Sequence, residues 1–122
     1  MRNAKLMHRK AMEIAELAFV ARRDGFASKA ISHFLEAYHL ERQAALIVAE
    51  DLTFEPSRSV LLRSAASLAL NCELPLEAEK LACLALSGNP PGDIAEELRD
   101  ILAQVLLPRE LVRDQTPELV AA

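Results

Sequence analysis

The chain is short of most residues that build catalytic loops, strands or membrane spans. Of its 122 residues none is Trp, three are glycine, and five are aromatic: Phe19, Phe26, Phe34, Tyr38 and Phe54. Three glycines can hardly build a phosphate-cradling loop, and no glycine-rich phosphate motif occurs. No run of alternating β-branched residues reads as a strand. No apolar run approaches the ~18 residues that a membrane-spanning helix needs. The N-terminus carries bases but not the apolar core and small-residue cleavage site of an export signal. The expectation is a cytoplasmic protein with reduced thiols.

Metal and nucleophile chemistry are equally thin. His8, His33 and His39 share no helix face with a cysteine and show no His-Glu-x-x-His spacing, so no metal or other cofactor is expected. Cys72 and Cys83 have no CxxC partner and read as buried free thiols. Glu96-Glu97 reads as a solvated helix face rather than an acid–base pair. Arg58-Ser59, Arg63-Ser64 and Ser67 place hydroxyls among bases, which reads as solvated small residues before it reads as a phosphate site. The chain is expected not to be an enzyme.

Alanine and leucine are what the sequence has instead: together they fill 42 of the 122 positions. Hydrophobic residues make up 52% of the chain, enough for one modest core without disulfides. The composition is helix-forming from end to end. Its charge is uneven within a net −4: residues 1–30 sum to +4, residues 31–72 to −2 and residues 73–122 to −6. A basic front and an acidic rear suit head-to-tail association, an acidic partner on the first helix, or simply a solvated surface.

Five helices follow from the spacing of apolar residues and the breakers between them. The first covers about Asn3 to Asp24, with Met7, Ala11, Ile14, Leu17, Ala18 and Ala21 as its core face. Met12, Ala15 and Phe19 form a second stripe beside it. Gly25 suits a left-handed cap, and Ser28 is a candidate N-cap for the second helix. No Gly or Pro interrupts the chain from Phe26 to Pro56, so the second helix reads as overlong. Helices over about Ser57–Cys72, Pro75–Ser87 and Asp93–Leu106 follow, with Pro108 ending the last. Residues 1–107 read as one domain and residues 108–122 as a polar, flexible tail.

One pattern recurs. Ile14-x-x-Leu17-Ala18 followed by Ala30-x-x-x-Phe34-x-x-Ala37 returns 48 residues later as Leu62-x-x-Ala65-Ala66 followed by Ala78-x-x-x-Ala82-x-x-Ala85, with Pro90 beyond. In these residues the chain resembles the tetratricopeptide repeat family. The first copy departs from that motif at Ala21 and in lacking the terminal proline, and the second at Ala65, Ala69 and Ala82. The family's period is about 34, so about 14 residues are surplus, almost four helical turns lengthening the second helix. The resemblance implies an all-α fold of two antiparallel helix pairs, the second helix extended, plus a C-terminal capping helix.

The same resemblance implies a concave surface built from the first helix of each pair. Transferred position by position, it shows Met12, Ala15, Phe19, Arg22 and Arg23, then Val60, Arg63, Ser64, Ser67 and Asn71. Met12, Phe19, Arg22, Arg23, Arg63 and Asn71 are therefore the candidate partner-binding residues, apolar anchors beside guanidinium forks. Alternatively, Met12 and Phe19 pack against the fifth helix or a second subunit. The expected function is a non-catalytic protein–protein interaction or scaffold module, holding another protein, a peptide or a second copy of itself. The alternative is a small antitoxin-like regulator binding nucleic acid or a cognate enzyme through its basic N-terminal helix; net charge and scarce aromatics disfavour nucleic acid.

Overall fold

The computed structural model describes the backbone of residues 1–115 and the side chains of residues 1–106. It is all-α: α1 (Arg2–Arg23), α2 (Ala27–Val48), α3 (Ser57–Asn71), α4 (Pro75–Leu86) and α5 (Gly92–Gln115), with one 3₁₀ turn at Leu52–Phe54 between α2 and α3. Each helix packs on the next along the chain, and α5 also touches α3. Among the described residues no helix is long and apolar enough to cross a membrane.

The turns explain why the helices stop where they do. Gly25 sits at φ +88°, and the chain folds back with Phe26 N bonded to Ala21 O at 2.8 Å and Gly25 N to Arg22 O at 3.2 Å. This paired closure satisfies two carbonyls that a helix end would otherwise leave bare. It also starts α2 at Ala27, so Ser28 falls inside the first turn and the cap position goes to Phe26, with no side-chain bond. The α3–α4 turn has the same geometry, with Leu74 N on Ala69 O and Glu73 N on Leu70 O. There the left-handed position is occupied by Glu73, at φ +63°. Pro75 then opens α4, where its missing amide is not needed.

α1 and α2 make the most extensive helix contact in the molecule. Ala4, Ala11 and Ala18 recur every seven residues on α1, as Ala30, Ala37 and Ala44 do on α2, and all six are buried. Methyl groups at these places let two backbones approach where a leucine would hold them apart. That corrects the expected core face of α1. The buried strip is Ala4, Ala11, Ala15, Ala18 and Ala21, while Leu17 is 56% exposed. The close seam rotates bulk to the flanks.

Part of the surplus lengthens α2, which runs on from Ala37 to Val48, and the rest forms the connection through the 3₁₀ turn to Ser57. α1 begins at Arg2, well before Ile14, so both arms of the first hairpin are long. Phe34, Leu62 and Leu98, the largest fully buried apolar side chains, carry the core from α2 through α3 to α5. Cys72 is buried and its thiol is pushed up by burial, but Cys83 is exposed, against expectation; both are free. The last helix does not end at Pro108: it runs on to Gln115, since a proline removes one bond without forbidding helical φ. Residues 116–122 of the expected tail lie outside the described residues.

Arg58 is not on a solvated face. It is buried, and its Nε donates to Ala49 O at 2.6 Å while Nη2 and Nη1 donate to Leu84 O and Ala85 O at 3.0 and 3.4 Å. One guanidinium thus ties the C-terminal ends of α2 and α4 together, where helix dipoles favour a cation. Glu55 lies 3.6 Å from it and accepts from Ser59 N, Ser59 Oγ and Asn89 N. Burial alone would raise the Glu55 carboxyl; those bonds and Arg58 bring it below its ordinary value. Ser59 is consequently buried and fully engaged, not a free hydroxyl.

Candidate functional site

α1, α3 and α5 together wall a groove of about 400 Å³. From α1 come Met12, Ala15 and Phe19; from α3 Arg63, Ser64, Ser67, Leu68 and Asn71; from α5 Glu97, Asp100, Ile101 and Gln104. The i, i+3, i+4 spacing within each set puts its members on one face of its helix. The floor is apolar where Met12, Phe19, Leu68 and Ile101 meet, and the walls are polar.

Phe19 is held rather than loose. Its ring meets the buried Phe34 ring edge-to-face, with centroids 4.9 Å apart and planes at 85°, yet the residue remains 46% exposed. The Arg22 guanidinium carbon lies 5.1 Å from both ring centroids. At an exposed site such a cation–π contact contributes about 0.5–1 kcal/mol. Arg22 Nη1 also donates to Asn71 Oδ1 at 2.8 Å, and Asn71 Nδ2 donates to Ser67 O at 3.1 Å. Arg63 pairs with Glu97 across the groove.

Of the six residues singled out from sequence, Met12, Phe19, Arg63 and Asn71 line this one groove. Arg22 stands at its end through Asn71. Arg23 does not line it: it pairs with Asp24 at 3.3 Å and borders an adjoining recess that shares Met12, Ala15 and Phe19 with the groove. Of the other positions on the expected surface, Val60 faces a separate apolar recess of about 220 Å³ beside Met1, Ala4 and Pro56. The acidic wall of Glu97 and Asp100 was missed. α5 does more than close the end of the helix stack; its spacing Glu97, Asp100, Ile101, Gln104 carries the signal for a face that walls the groove.

A buried charge cluster was missed as well. Glu41 is fully buried on α2 and accepts from His8 Nδ1 on α1, its two oxygens lying 2.7 and 3.0 Å from that nitrogen. Burial raises the Glu41 carboxyl above its ordinary value, and Ser64, His8 and Arg63 pull against that rise. The signal was in the period: Ala30, Phe34, Ala37, Glu41, Ala44 and Val48 alternate steps of four and three, so Glu41 sits in a core line. The cluster locks the long ends of the first hairpin against α3, behind the groove.

Chemically, the groove offers apolar anchoring and mixed-charge walls. Neither histidine nor cysteine lines it. Among the described residues no group of three or more His, Cys, Asp or Glu is placed to hold a metal. Comparison of the chain with protein-family models, with curated proteins and with solved structures finds no match in any of the three.

Proposed function

We propose that this protein is a non-catalytic interaction module that holds an extended segment of another protein in the groove between α1, α3 and α5. The observation that carries the reading is Phe19: a large ring braced from behind by Phe34 and from the side by Arg22, but left open to the groove. An aromatic fixed before a partner arrives loses little entropy on binding, which is how interface anchors gain their weight. The polar walls fit the rim of such an interface, with Arg63–Glu97 and Arg22–Asn71 already oriented. The likeness of the two helix-pair turns, 48 residues apart at Gly25 and Glu73, supports a divergent helical-repeat origin resembling the tetratricopeptide family.

Nucleic-acid binding through α1 is the weaker reading. Lys5 and Arg9 share their recess with Glu13 and Glu16, which interrupt any continuous positive strip. The test of the groove is site-specific cross-linking in extracts of the native host. A photo-reactive group at Gln104, on the groove wall, is expected to capture a protein that the same group at exposed Gln43 does not. Phe19→Glu and Ser67→Trp, the second of which fills the groove while leaving the residue at position 19 unchanged, are expected to abolish binding. Capture that survives both, with both variants folded, overturns the proposal.

A further inference from the structure

Among the described residues, nothing covers the side of α1 turned away from the groove. Leu6, Lys10, Glu13 and Leu17 recur at steps of four, three and four, so they form one line along the helix. All four are exposed, Leu6 by 54% and Leu17 by 56%. Met7 and Ile14 lie half-buried on the shoulder between this line and the alanine strip. We infer that this line is the seam of a homodimer, with α1 of one copy lying antiparallel along α1 of the other about a two-fold axis between Ala11 and Met12.

What selects a second copy is the symmetry of the line. In that register Leu6 of one copy faces Leu17 of the other, and Lys10 faces Glu13; the two-fold repeats each contact once more. Apolar contacts close both ends of the seam and two opposite-charge pairs fix its middle. An isologous interface needs a patch that is its own complement, and this line is one. A parallel pairing would set Lys10 on Lys10 and Glu13 on Glu13, so the charges also exclude the wrong orientation. Neither Lys10 nor Glu13 makes an ion pair among the described residues. The seam runs on the opposite side of α1 from Met12 and Phe19, so the pairing stands independently of what the groove holds.

Sedimentation equilibrium of the full chain tests this with Lys10→Glu, Glu13→Lys, the double exchange, and a mixture of the two single variants. The wild type is expected to dimerise, and each single exchange to weaken that at least tenfold by setting like charges opposite each other. The double exchange restores the dimer, and mixing the two single variants restores it as a heterodimer. All substitutions are at exposed positions, and thermal melting confirms that each variant is folded. A wild type that stays monomeric at its highest soluble concentration overturns the proposal. So does a dimer indifferent to the single exchanges, or one that the mixture fails to restore.

Discussion

Glu41, Glu73 and Arg58 occupy positions that run against their chemistry, and each makes a measurable difference. Glu41 is a carboxyl in the core, with its folded-state pKa raised by burial. Between the ordinary value of 4.5 and that raised value, the folded protein keeps a proton that the unfolded chain has lost. Stability therefore falls as pH rises through this window. Glu41→Gln is expected to remove that slope in denaturant titrations read at a series of pH values. An unchanged slope would show that Glu41 ionises as freely folded as unfolded. Glu73 holds a left-handed backbone where its counterpart in the other turn is glycine. Glu73→Gly should raise stability by about 0.5–1 kcal/mol by relieving that strain, with helicity unchanged. Gly88 is required for the opposite reason: a Cβ there would overlap the Arg58 guanidinium, which four groups hold in place. Arg58→Ala leaves the Ala49 carbonyl without its donor and Glu55 without its cation, and should cost about 3–5 kcal/mol in chemical unfolding.

At the scale of the element, the first hairpin is a contact between two alanine ladders. Ala37→Leu would force the backbones apart and is expected to cost about 1–3 kcal/mol, more than the same change at exposed Ala103. This hairpin also shows what a sequence gives up readily and what it hides. Its turn, its length and the order of its neighbours were legible because Gly25, Pro56, Pro75 and the Gly88–Gly92 cluster are local signals that no tertiary contact overrides. The rotation of α1 was not legible. Hydrophobic periodicity weights Leu17 above Ala15, while close packing weights size, and here size decided which face went inside. The pairings of Glu41 with His8 and of Arg58 with the ends of α2 and α4 depend on residues far apart in the chain, so no window of sequence contains them. Half of the groove was visible for the same reason: α1 and α3 carry a recurring pattern, whereas α5 does not repeat it and its acidic wall went unread.

At the scale of the whole molecule, the two sides of α1 present different surfaces. One side, with Met12 and Phe19, joins α3 and α5 in a groove with an aromatic floor; the other, with Leu6 and Leu17, presents a self-complementary line. A dimer built on that line would carry two grooves on opposite flanks, and a partner with two copies of one segment would bind it with avidity. The central claim is the groove, and its most direct measurement is selection of extended peptides from a display library on the full-length protein. The peptides recovered are expected to share a large apolar residue and to lose at least tenfold in affinity on Phe19→Glu and on Ser67→Trp. Peptides that bind both folded variants as tightly as the wild type, or a protein that selects none, would contradict it.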